Sequence, residues 1–386
     1  MDQVRAYRWK RQRLDRVRQA PAAEVLEQAG WMRSVGGAGP YLGLFARAGT
    51  SREQVDADVA ALKIHELPAA RGCTYVVSAA DFALALRAGQ GNGEAADIAT
   101  AKKFLGVKDA EIDKLCAKVV DALRAEALDP AQLKDALGPA VKHLGEAGKK
   151  RGVTTTLPLA LGKLQSEGAI RRVPINGRLD QQRYRYARWG LKLPAMDDTA
   201  AARALGERFF RWAGPATVQQ FAWWAGISVK AAKAAAQELK LVAFENGELM
   251  SAADLDELRA TRPEKEPRVA LVGLLDNLVH LRRELASLTE AADMKRIARE
   301  KKAGGALLDL PSHAIVSGGR VIGLWEYDAA AAKIVYATFG KATPAVRRAV
   351  EEMETFVRDQ LGDARQFSLD SPESRVDRLE GLRRMG

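Results

Sequence analysis

Three stretches of this chain repeat one order of local signals: a capped apolar helix, a strand, a tight turn and a second strand. Such a repeat constrains the fold more than any single motif, because it fixes element type, order and turn together. In the clearest copy, Thr156 precedes Leu157, Ala160, Leu161 and Leu164, which recur at helical spacing. Pro158 falls in the first turn, where its missing amide costs nothing, and Gly168 is placed to end the helix. Ala169–Pro174 reads as a strand and Asn176-Gly177 as a two-residue hairpin turn. Arg183-Tyr184-Arg185-Tyr186 then alternates with a period of two, which puts both arginines on one face of the return strand.

The next copy has a second helix. Thr217-Val218-Gln219-Gln220 is a capping box that opens a helix through Trp223 and Trp224, and Gly226 ends it. Ser228 caps another helix within a few residues, with Val229, Ala232, Ala236 and Leu239 on its inner face. Leu241–Phe244, Asn246-Gly247 and Leu249-Met250 supply strand, turn and strand. In the first copy Ser51-Arg52-Glu53-Gln54 caps a helix carrying Val55, Val59 and Leu62, and a hairpin turns near Arg71-Gly72 into Cys73–Val77. Ser78-Ala79-Ala80-Asp81 follows that hairpin as Ser251-Ala252-Ala253-Asp254 follows the other, so identity supports the repeat. A helix-turn-helix followed by a β-hairpin is the winged-helix unit.

The last third differs. Val269–Leu275, His313–Val316, Val321–Tyr327 and Lys333–Phe339 read as strands, and Thr343 caps a helix with Pro344 at its first position and Val346, Val350, Met353 and Val357 inward. From Gly362 the chain is polar and reads as a frayed tail. The expected fold is mainly α with small β-hairpins (α+β). Three tandem winged-helix domains span 1–98, 99–194 and 195–262, and a β-barrel-like domain with a closing helix spans 263–386.

Charge separates the copies. The formal net charge is +11, yet residues 150–240 hold sixteen Lys/Arg against six Asp/Glu, a net of +10. A local excess of this size points to a polyanion, with double-stranded DNA first. A recognition helix fits the major groove while a wing lies along phosphates. The expected DNA contacts are therefore Arg151, the helix-start threonines Thr154, Thr155 and Thr156, Lys163, Arg171, Arg172, Arg178, Arg183 and Arg185, with Lys230 and Lys233 on the next recognition helix. Trp212, Trp223 and Trp224 lie on amphipathic helices and read as core. Asp276, His280, Arg282 and Arg283 form a polar cluster at the start of the last domain.

Other chemistry is not encoded. Cys73 and Cys116 are too few for a disulfide framework, and His65, His143, His280 and His313 lack metal-ligand spacing. Gly37-Ala38-Gly39 begins like a dinucleotide fingerprint, but the third glycine is misplaced and Pro40 intrudes. Gly145–Lys150 lacks P-loop spacing. No apolar run is long enough to span a membrane, and Met1–Ala20 reads as a solvated helix rather than a leader. The expectation is a cytoplasmic, nucleoid-associated monomer without cofactor or metal and without membrane contact.

Phe209 through Gly226, with Arg71-Gly72-Cys73 before a strand and Gly319 through Trp325 late in the chain, resembles the YcaQ/AlkZ-like winged-helix DNA glycosylases. The resemblance covers nearly the whole chain. It implies three tandem winged-helix domains and a C-terminal β-barrel around duplex DNA. It also implies hydrolysis of the N-glycosidic bond of alkylated or crosslinked purines in interstrand crosslink repair. The family's catalytic Gln-x-Gln or Gln-x-Asp falls here on Ser34 through Leu42, which holds neither Gln nor carboxylate, and Tyr75 stands where His is common. No catalytic residue carries over, and glycine cannot act as a general base. Glu53, Asp56 and Asp58 follow this stretch and could replace the missing groups or form an exposed acidic face. A non-catalytic regulator or lesion-recognition factor is the competing expectation. A third is a scaffold whose basic face meets acidic proteins.

Overall fold

The computed structural model describes residues 1–181, 183–299 and 309–385. Helix α1 (Asp2–Arg11) precedes a first unit of α2 (Ala22–Ala29), β1 (Met32–Arg33), α3 (Gly39–Ala48), α4 (Arg52–Ala60), β2 (Ile64–Pro68) and β3 (Thr74–Ser78), closed by α5 (Phe82–Gly89). The second unit comprises α6 (Gly93–Leu105), α7 (Asp109–Ala122), α8 (Pro130–Leu137), α9 (Gly145–Lys149), α10 (Leu157–Ser166), β4 (Ile170–Pro174) and β5 (Tyr184–Arg188). The third has α11 (Asp198–Ala213), α12 (Val218–Ala225), α13 (Val229–Glu238), β6 (Leu241–Ala243), β7 (Leu249–Ser251) and α14 (Ala252–Ala260). The last region holds β8 (Val269–Val272), α15 (Asn277–His280), α16 (Ala291–Arg299), β9 (His313–Ser317), β10 (Arg320–Asp328), β11 (Lys333–Thr338), α17 (Pro344–Phe356) and α18 (Pro372–Met385).

The chain is thus mixed α/β with small antiparallel sheets, and the three units share a pairing rule. A residue between the early helices joins the return strand of each hairpin: β1 pairs with β3, Leu128 with Tyr186, and Ala216 with Leu249. Local signals explain most of the ends. Both capping boxes form, Ser51 with Gln54 and Thr217 with Gln220. Gly226 ends α12 in the left-handed region at φ 74°, which a side chain resists.

Helix α1, read as solvated, instead buries Tyr7 and Trp9. Four further expectations need correction here. Val229 is 43% exposed rather than buried, because α13 packs through Ala232, Ala235 and Ala236. The β4–β5 loop is longer than the two residues read from Asn176-Gly177, because Leu179 and Asp180 are buried within it. The Leu179 amide donates to the Tyr41 hydroxyl at 2.9 Å, which docks the loop on the first unit. The C-terminal strands form an open sheet in the order β11-β10-β9-β8, and no barrel closes among the described residues. Its edges are covered instead: α3 and α17 pack on β8, and α18 on β10 and β11. Lastly, residues 372–385 form α18 rather than a frayed tail. Buried Arg375 ties it to Asp363 at 2.6 and 2.7 Å, and Arg378 bonds Glu326 and Asp370.

One core joins the first unit to the C-terminal sheet, running from Val25, Leu42 and Val55 to Leu271, Ile315, Trp325 and Phe356. Another joins the far face of the first sheet to the third unit through Leu67, Tyr75, Phe209 and Trp224. The second unit keeps its own core, from Ala101 to Ile170. The β1-β3-β2 sheet therefore has an apolar layer on each side.

Candidate nucleic-acid interface

The residues expected to meet DNA divide into two groups. Arg183 and Arg185 are exposed on the second hairpin while Tyr184 and Tyr186 are half-buried, as the alternation requires. Lys230 and Lys233 are exposed on α13. None of these four has an ion-pair partner among the described residues. Arg151 is also exposed, its guanidinium 4.8 Å from the Phe104 ring and bonded to the Ala147 carbonyl at 3.3 Å.

Of the others, Lys163 and Arg178 are ion-paired. Lys163 donates to Asp113 at 2.6 Å and lies 3.8 Å from Glu167, and the Asp113 bond raises its pKa. Arg178 donates to both oxygens of Asp180, at 2.9 and 2.5 Å, and to the Leu361 carbonyl at 2.8 Å. Arg171 is half-buried, which lowers its pKa, and Arg172 lies 5.1 Å from the Tyr184 ring. Thr154 is exposed and Thr155 bridges to His143. Thr156 is buried and does not cap α10. Its amide donates to the Lys142 carbonyl and its hydroxyl accepts from the Lys142 amide, each at 3.0 Å.

The small sheet of the first unit holds polar groups on both faces. Residues directly opposite across strands share a face, so Met32, Val76 and Glu66 lie on one side, and Arg33, Tyr75 and Leu67 on the other. On the first side Glu66 is 3% exposed. It accepts from the Ser34 hydroxyl at 2.5 Å and from the Tyr184 hydroxyl at 2.8 Å. Burial pushes its carboxyl up, against the pull of the two hydroxyls and of Arg172. Sequence reasoning missed Glu66, although a glutamate inside the apolar run Ile64–Pro68 was a visible signal.

The stretch Ser34–Gly39 beside this group is covered by residues 365–368, between α17 and α18. The Ala38 amide donates to the Arg365 carbonyl and the Ser368 amide to the Val35 carbonyl, both at 2.9 Å. A side-chain carbon at Gly37 would meet the Gln366 carbonyl oxygen at 2.3 Å. Glycine there serves close backbone packing. Asp56 is engaged too, accepting from Tyr41 at 2.5 Å and Arg52 at 2.7 Å, and burial raises its pKa. Asp58 lies 3.2 Å from Lys63, and Glu53 is exposed.

The opposite side gathers cations. Arg33 comes from β1, Arg71 from the β2–β3 turn, and His280 and Arg283 from α15 and the turn after it. Trp223 of α12 lies among them, with the Arg71 guanidinium 4.1 Å from its ring, Arg283 at 5.2 Å and the His280 ring at 5.3 Å. Trp212 and Trp224 are buried as expected, whereas Trp223 is half-exposed in this cluster. Arg283 pairs with Asp309 through two bonds from its Nε, at 2.9 and 3.1 Å. Burial, with Arg33, Arg71 and Arg283 nearby, lowers the His280 pKa to about 4 against the pull of Asp309. Of the cluster expected at Asp276–Arg283, Asp276 instead bonds buried Arg47 at 2.7 and 2.9 Å, and Arg282 pairs with Glu248 and Glu284.

No group of three or more His, Cys, Asp or Glu side chains among the described residues could hold a metal. No described helix is long and apolar enough to cross a membrane. The site as a whole offers exposed cations, one partly open cation–aromatic cluster and closed carboxylates.

The AlkZ-like DNA glycosylase family profile matches residues 26–356, and the chain belongs to that family. Its fold is similar to that of Streptomyces sahachiroi DNA glycosylase AlkZ, with a TM-score of 0.68 and 21% identity over 95% of this chain and 98% of that one. No curated protein sequence matches the chain significantly.

Proposed function

We propose that the chain is a winged-helix protein that binds double-stranded DNA as a nucleoid-associated cytoplasmic monomer. In this reading it acts on alkylated or crosslinked purines as a repair glycosylase. Family membership over residues 26–356 carries the reading. The unpaired exposed cations Arg183, Arg185, Lys230 and Lys233 support it, since they sit on the second hairpin and on α13, where a wing and a recognition helix would meet phosphates. Incubating the protein with duplex containing an N7-alkylguanine should yield abasic sites, detected as strand breaks after alkali. Binding without abasic product removes the glycosylase step.

A second reading is a non-catalytic lesion-recognition or regulatory protein. It is favoured by one observation: both Glu66 oxygens already accept hydroxyl bonds, beneath a stretch that offers no Gln or carboxylate of its own. The same assay separates the two readings.

A further inference from the structure

We propose that Arg71 and Arg283 over Trp223, with Arg33 over the adjacent Tyr75 ring, form a binding site for a backbone phosphate of duplex DNA. The inference rests on the DNA-binding reading and assigns it a site outside the hairpin and α13.

Four observations carry it. The first is charge. The Arg71 and Arg283 guanidiniums approach the Trp223 indole, Arg33 lies 5.7 Å from the neighbouring Tyr75 ring, and Asp309 is the one carboxylate bonded to any of the three among the described residues, so positive charge is left over. The second is unmet hydrogen bonding. Nε and Nη1 of Arg33 and Nε2 of His280 are buried nitrogens with no partner among the described residues. Leaving such groups unpaired is costly unless something else satisfies them. A phosphate oxygen does so, because the guanidinium fork matches its geometry.

The third is backbone conformation. Arg71 and Arg283 both hold the left-handed conformation, at φ 59° and 52°, which ordinary side chains resist. Such positions persist where a side chain is needed in one place, and they concentrate at ligand sites. The fourth is room. Gly226, in the tight turn after α12, lies so close that a side-chain carbon there would meet the Arg71 Cγ at 2.7 Å. Its bare backbone lets Arg71 reach over Trp223. The cluster also draws on the first unit, the third unit and the C-terminal region, so one phosphate would bind three parts of the protein together.

The left-handed conformation supplies a clean test, because glycine prefers it. Arg71→Gly with Arg283→Gly removes two guanidiniums while relieving strain, so the double variant should melt no lower than the wild type. Binding of a labelled short duplex is read by fluorescence anisotropy across a salt series on the full chain. The double variant should bind on the order of tenfold more weakly at low salt. Its plot of log affinity against log salt should be shallower by about one. Arg33→Gln, at an unstrained position, should move both readouts the same way and decides the matter if the double variant does not fold.

Unchanged affinity and slope in the folded variants overturn the site while leaving the DNA-binding reading intact. A wild type that binds no duplex even at low salt removes that reading and the site with it. Inorganic phosphate identifies the source of the anion. If it raises the wild-type melting temperature at matched ionic strength while duplex affinity is the same in all variants, the site takes free phosphate and the DNA assignment fails.

Discussion

Arg178 of the second hairpin and the arginines near Trp223 are alike in being half-buried and opposite in use. Arg178 is bonded to Asp180 and to the Leu361 carbonyl, and it helps hold the hairpin loop to the first unit. Among the described residues Arg33 and Arg71 have no carboxylate partner, and buried nitrogens of Arg33 lack any partner. A count of charges by segment favours the first group, since it lies in the basic stretch 150–240. What meets a polyanion is the charge left after internal pairing, and pairing depends on the whole fold. Lys163 is neutralised by Asp113, a residue of another helix, so local composition overstates the second unit and understates the first.

The contrast can be broken most severely at Arg47. Its side chain is fully buried, bonded to Asp276 and Gln12. Arg47→Ala should cost about 3–5 kcal/mol of stability, because it strands a buried carboxylate. The denaturant midpoint measures this. A loss below about 1 kcal/mol would mean that paired arginines here are not structural.

A smaller effect is expected at Glu66, whose folded carboxyl titrates above its unfolded value. A raised carboxyl favours folding in its protonated form. That contribution is full below about pH 4 and is lost as pH rises through the folded value. Glu66→Gln mimics the protonated state, so its melting temperature should gain on the wild type as pH rises from about 4 to 8. A constant difference would show that the buried group does not titrate as described.

The smallest stability effects belong to surface cations. Lys163→Ala should cost about 0–1 kcal/mol and leave the salt dependence of duplex binding unchanged, because Asp113 already neutralises it. Arg183→Ala with Arg185→Ala should cost no more stability, yet weaken duplex binding and flatten its salt dependence. Equal binding by both variants would erase the distinction between paired and unpaired cations.

What was legible in the sequence was local. Capping boxes at Ser51 and Thr217, the turns at Arg71-Gly72 and Asn246-Gly247 and the four C-terminal strands are set by neighbours a few residues away, and all appear. The misreadings involve distant partners. A polar tail reads as frayed until Arg375 finds Asp363 and Arg378 finds Glu326. Four strands suggest a barrel until helices cover the edges. His280 and Arg283 stood out as part of a polar cluster, but their meeting with Arg33, Arg71 and Trp223 was not legible, because those residues come from separate regions joined by tertiary packing alone. Trp223 looked like its neighbour Trp224, and only the docked arginines distinguish them.

The shared core has a consequence for how the chain is made. The second unit buries residues from Ala101 to Ile170 against one another, so it can fold once that stretch has been synthesised. The first unit stacks Phe45 on Phe356 and buries Val25 and Leu42 with Trp325. Although synthesised before the second unit, it keeps an apolar face uncovered until Trp325 and Phe356 emerge. Order of synthesis and order of completion are thus reversed, and the exposed face of the nascent first unit is where a chaperone would have most to hold.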